Sequence, residues 1–208
     1  MQESRRSRHQ LIVLSAVLGM VVTIPPVVAR PAVAQAKANA PDLTAVRSAL
    51  KKYEDPYVAV HDGYFSSVGC VVIERPGAAG HVPYKPGGMG VHFLNLGLLG
   101  PVPDPSQPQV LIYEPAGDKL RLIAAEWFVP LSTGVKKRPQ LWGHAFDGPM
   151  MGHPPLLPME MTHYDLHVWL YKPNSLGTFS PTNPDVTCAG HPYRLVEEAP
   201  MLVPEPKP

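Results

Sequence analysis

Two stretches decide how this chain folds: Leu120–Val129, LRLIAAEWFV, and Thr162–Tyr171, THYDLHVWLY. Neither contains Pro or Gly, and both are rich in the aromatic and branched side chains that suit a pleated, half-buried surface. In a strand, alternate residues share a face. His163, Asp165, His167 and Trp169 then line one face of the second stretch, and Tyr164, Leu166, Val168 and Leu170 line the other. The apolar set is an ordinary core face. A solvated face would carry Lys, Thr and Glu, so a row of two imidazoles and a carboxylate ending in a Trp reads as the wall of a pocket. The plainer alternative is a buried His–Asp group that satisfies its own hydrogen bonds.

Working outward, Val110–Glu114 (VLIYE) is a further strand. It is joined to Leu120–Val129 by a hairpin-like link, Pro115-Ala116-Gly117-Asp118-Lys119. Val91–Asn95 (VHFLN) is another, entered through Gly87-Gly88-Met89-Gly90, which reads as a tight turn. Upstream, Leu43, Val46, Leu50, Tyr53 and Tyr57 recur at three- and four-residue steps. That spacing predicts a helix from Asp42 to about Glu54, with Asp42 as N-cap and Pro56 ending it. A short turn through Val58–Tyr64 follows. With 27 prolines in the chain, long elements are excluded downstream. The fold class expected is α+β: an N-terminal helix packed on a mainly antiparallel, Pro/Gly-rich sheet, open to partial closure into a barrel.

The first 34 residues read as a secretory signal peptide. Arg5, Arg6 and Arg8 form a basic start, Leu11–Ile24 an apolar run, and Ala32-Val33-Ala34 a cleavage pattern. The run is too short for a bilayer span, which takes roughly 20 residues. Removing Arg5, Arg6, Arg8, Arg30 and Glu3 with it turns a formal charge of +1 into −2. With no basic stripe left beyond Lys136-Lys137-Arg138, nucleic-acid binding is set aside. The expected layout is 1–34 signal, 35–41 flexible lead-in, 42–198 a single domain and 199–208 an extended tail. The expected location is secreted or periplasmic, with the membrane met only during export. The two cysteines, Cys70 and Cys188, both lie in the exported part and are expected to form a disulfide.

Residues two apart on a strand lie about 6.7 Å apart and four apart about 13 Å, so the HYDLH row alone cannot hold one ion. Partners are at hand on other strands. His92 sits in VHFLN, and Glu126 sits amid apolar residues, where a carboxylate is costly unless paired or metal-bound. His92, Glu126 and His167 are therefore the candidate ligands of a divalent metal, Zn, Cu or Fe. His163 and Asp165 would orient them, with His144, Trp169 and Trp127 as further pocket residues. His153, before Pro154-Pro155, reads as a loop residue. No nucleophile elbow, phosphate-cradling loop or C-x-x-C is present.

The segments GGMGVHFLN (87–95), LIYEP (111–115), AAEWFVP (124–130), LWGHAFDGPM (141–150) and HYDLHVWLYKPNSLGTF (163–179), with NPDVTC (183–188), together resemble a family of uncharacterised secreted bacterial proteins. The resemblance implies one domain type over Gly87–Cys188 and carries no catalytic role. The function expected is a secreted domain with a His- and carboxylate-lined pocket for a metal ion. A metal-free carrier barrel for a small molecule and a cell-envelope interaction protein are the alternatives.

Overall fold

The computed structural model describes residues 41–207; the expected signal segment, and the lead-in up to Ala40, lie outside the described residues. The helix α1 spans Thr44–Leu50 and continues as a 3-10 turn over Lys51–Glu54. Leu43, Val46, Leu50 and Tyr53 are buried and join the sheet in one hydrophobic cluster, as their spacing predicts. The N-cap is Leu43 and not the expected Asp42, which lies one residue further out and accepts the Thr44 N–H on its Oδ1 at 2.9 Å. Tyr57 departs from the expected stripe and is 83 % exposed. The reason is Pro56, which opens a second helix, α2 (Pro56–His61), besides ending the first. At a first helical position Pro has no N–H to lose, and its φ is already helical. Asp55 caps α2 by accepting the Tyr57 N–H at 2.9 Å.

The rest of the chain builds a seven-stranded sheet in the order β7-β8-β4-β3-β2-β1-β9, curled into a half-barrel. Its strands are β1 (Phe65–Ile73), β2 (Gly87–Leu94), β3 (Val110–Ala116), β4 (Lys119–Pro130), β7 (Asp147–Met150), β8 (His163–Val168) and β9 (Arg194–Glu197). Two short strands, β5 (Gln140–Leu141) and β6 (His144–Ala145), form a separate hairpin. All neighbours in the sheet are antiparallel except β1 and β9, which are parallel. The α+β class and the mainly antiparallel, partly closed sheet are those expected.

The Gly87-Gly88-Met89-Gly90 segment is not a turn before a strand but the first half of β2. Close approach explains its glycines. A Cβ at Gly88 would lie 2.4 Å from the Val186 carbonyl oxygen, while Gly90 (φ +90°) has no room beside the Tyr113 carbonyl.

Alternation then sorts the sheet into two faces. Val91 and Phe93, Leu111 and Tyr113, Ala125 and Trp127, and Tyr164 and Leu166 pack with α1 in the main core. Residues of opposite parity, among them Ile112, Ala124 and Phe128, point to the other face. The Cys70–Cys188 disulfide is formed, with the two Cα atoms 5.6 Å apart, and ties β1 to the segment before β9. The C-terminal tail is paired with a neighbouring strand. It leaves edge strand β9 and runs beside the opposite edge strand β7, where the Met151 N–H donates to Met201 O and the Val203 N–H to Pro149 O, both at 2.9 Å. Among the described residues no helix is long and apolar enough to cross a membrane.

Candidate metal centre

The face turned away from α1 carries an unusual density of buried polar groups: His92, Glu126, His163, Asp165 and His167. Register explains the meeting of three of them. His167 of β8 stands directly opposite Glu126 of β4. The next strand, β3, contributes only Val110 and Ile112 here, opposite Glu126 and His92 respectively. Strands two places apart lie about 9.6 Å apart in a flat sheet. The curl of the half-barrel and the length of both side chains close that gap over the aliphatic residues of β3.

The His92 Nε2 lies 3.6 Å, and the His167 Nε2 3.5 Å, from the same oxygen, Glu126 Oε2. One donor atom from each of the three residues lies within 4.8 Å of the other two. Tetrahedral bonds of about 2.0–2.1 Å would separate ligand atoms by about 3.3–3.4 Å, so the two contacts to Glu126 are near the spacing that one ion requires. They are too long for hydrogen bonds, and the His167 ring nitrogens and His92 Nδ1 are also buried without a partner. The space at these donors is about 10 Å³. That suits one water-sized sphere. Leu156 and Leu157, from the loop after β7, close it over.

Electrostatics keep this group uncharged. Burial, reinforced by His167 and His153, pushes His92 down to about 3. Burial pushes His167 down to about 4, against the pull of Asp165. Burial, then Asp165 and Glu197, push Glu126 well above the usual carboxylate range. Burial would also raise Asp165, but the surrounding His163, His167 and His153 rings outweigh it and hold that carboxyl below its ordinary value. A dry site of two neutral imidazoles and a neutral carboxyl lacks the charge that a dication would bring, and binding one is coupled to loss of the carboxyl proton.

No protein-family model, no curated protein and no solved structure matches this chain. The chemistry is therefore read from the side chains alone.

Three of the expected pocket residues stand elsewhere. Trp127 follows Glu126 directly, so it points to the helix-covered face, where its Nε1–H donates to Asp104 O at 2.7 Å. Trp169 shares the donors' face but lies past the end of β8. It belongs to the hydrophobic cluster that includes Val110 and Ile123, donates to Ser180 O and does not line the space between the ligands. His144 is exposed on β6 and stacks on Phe179 with ring centres 3.7 Å apart. His163 and Asp165 are on the expected face, next to the triad. Asp165 Oδ1 lies 4.0 Å from His167 Nδ1.

Two residues that sequence reasoning passed over also belong here. His153 is no idle loop residue: it is buried, and its Nδ1 lies 2.8 Å from Glu197 Oε2. The only local sign was the pair of prolines after His153, which fixes a loop but not its destination. Glu197 is one of two adjacent glutamates, and only β9's pairing with β1 decides which of them turns inward.

Proposed function

We propose that this is a secreted metal-binding protein that holds a divalent transition metal, Zn, Cu or Fe, through His92, Glu126 and His167. The observation that carries the reading is the convergence of the Nε2 atoms of two buried histidines, at 3.6 and 3.5 Å, on one oxygen of a buried carboxyl, from three different strands. A buried, unpaired nitrogen such as His167 Nε2 costs about 1–3 kcal/mol, and an ion bound there would give it a partner. Nitrogen and oxygen donors of this kind suit those three metals over Ca or Mg. Three protein ligands are the number found in sites that keep one coordination position open.

The size of the space favours an ion over a carried organic molecule, since pockets for such ligands run to about 300–1,000 Å³. Export is supported by the basic, apolar and small-x-small order of residues 1–34 and by the Cys70–Cys188 bridge, which suits an oxidising compartment. Membership of the secreted bacterial family that its segments resemble is part of the same reading.

The test is metal content by plasma mass spectrometry after exposure of the purified exported protein to Zn, Cu or Fe salts and desalting. The wild type should retain metal, and His167→Ala should lose one equivalent while keeping the wild-type circular dichroism spectrum. Metal content unchanged in His167→Ala overturns the assignment.

A further inference from the structure

We propose that a second metal site lies beside the first, formed by His153, His163 and Asp165 and braced by Glu197. It goes beyond the function proposed above and uses none of that site's three ligands.

These residues come from three places. His163 and Asp165 lie two apart on β8, His153 lies in the loop after β7, and Glu197 ends β9 at the far edge of the sheet. Curling brings that edge across to the loop. One donor atom from each of His153, His163 and Asp165 lies within 4.8 Å of the other two, and all three residues are buried.

Both rings are held as metal-binding histidines are held. The His163 Nδ1 lies 2.9 Å from the Met161 carbonyl oxygen, which can only accept. The proton of the neutral ring therefore sits on Nδ1, and Nε2 carries the lone pair. That Nε2 is fully buried, has no hydrogen-bond partner and lies 3.8 Å from Asp165 Oδ2. The His153 Nδ1 likewise donates to the Glu197 carboxylate, which leaves Nε2 as its free donor. A ring bound through one nitrogen to a carboxylate or carbonyl and offering the other is the arrangement that orients a histidine toward a metal.

A purely structural His–Asp network does not account for the group. Its geometry leaves His163 Nε2, Asp165 Oδ1 and Glu197 Oε1 all buried and unpaired. Among the described residues the hydrogen bond to the Asp165 carboxyl is long, from the Tyr84 hydroxyl to Oδ2 at 3.4 Å. Asp165 stands between the two triads, with Oδ2 facing His163 and Oδ1 facing His167. It would serve the second site as a ligand and the first by orienting His167. The donor set, two imidazole nitrogens and a carboxylate oxygen, again fits a divalent transition metal.

The experiment is a Zn²⁺ titration of the chelator-stripped exported protein, read by calorimetry and by retained metal, on wild type, His92→Ala, His153→Ala and Glu197→Gln. The wild type should take two equivalents, and His92→Ala and His153→Ala one each. Glu197→Gln leaves all three donors in place and should weaken one of the two sites by about 10–100-fold. It also carries the test if His153→Ala fails to fold. A single wild-type equivalent kept by His92→Ala but lost by His153→Ala would support this site and overturn the first. Zinc binding unchanged in both His153→Ala and Glu197→Gln overturns the second site and leaves the first standing.

Discussion

Replacing Glu126 by Gln separates what this side chain does for a metal from what it does to the fold. Glu126 is 6 % exposed, and burial raises it well above its ordinary value of 4.5. In metal-free protein the folded state then keeps a proton that the unfolded chain releases. The sign follows. Stability contributed by such a group is intact below 4.5 and is lost as pH rises above it. The loss is about 1.4 kcal/mol for each pH unit over which the folded carboxyl stays protonated. Gln has nearly the shape of the neutral acid and does not titrate. Metal-free Glu126→Gln should therefore match metal-free wild type near pH 4.5 and become the more stable of the two as pH rises above it. The shifts of His92 and His167 are common to both proteins and cancel in the difference. Urea unfolding with chelator present and the disulfide intact measures this. With a slope of about 1–3 kcal/mol/M, each pH unit over which the folded carboxyl stays protonated adds about 0.5–1.4 M to the midpoint difference. The same variant should no longer hold metal at the first site. A stability difference independent of pH, or a wild type that is the more stable at pH 6, would mean that the folded carboxyl is ionised and partnered, and the uncharged triad would be wrong.

Zinc uptake at the first site should release up to one proton above pH 4.5, because Glu126 must ionise while His92, at about 3, and His167, at about 4, are already largely neutral. Calorimetry in buffers of different ionisation enthalpy reads this directly, and release of two or more protons on filling that site alone would contradict it. Leu50 is 2 % exposed in the cluster joining α1 to the sheet, so Leu50→Ala should cost about 2–5 kcal/mol in urea unfolding, whereas a loss under about 0.5 kcal/mol would mean that α1 is peripheral. Cys70 and Cys188 are 118 residues apart, so reducing their bridge should lower stability by up to about 5 kcal/mol, and an unchanged urea midpoint after full reduction would refute that.

Much of this architecture is local chemistry and was legible in the chain. The alternation in THYDLHVWLY assigns His163, Asp165 and His167 to one face whatever the strand's neighbours are, because the pleat reverses every residue. The spacing of Leu43, Val46, Leu50 and Tyr53 marks the buried face of α1 for the same kind of reason. Two cysteines in a chain with an export-type start point to one bridge. The lone Glu126 among apolar residues advertises its own need for a partner.

Other features depend on neighbours that no periodicity names. The strands β1, β7 and β9 carry Gly69, Gly148-Pro149 or only four residues, and their extended form comes from the chains they pair with. Strand order is likewise non-local: that only Val110 and Ile112 of β3 stand between His92 and Glu126 is a property of the assembled sheet. His144 and His153 both lie in turn-rich sequence. One is exposed on a hairpin and the other is buried against Glu197 at the opposite edge, because curling carries β9 to the loop after β7 and leaves the hairpin outside. Which face a side chain occupies is set by two-residue alternation; which side chains meet on that face is set by the order and curvature of strands far apart in the chain.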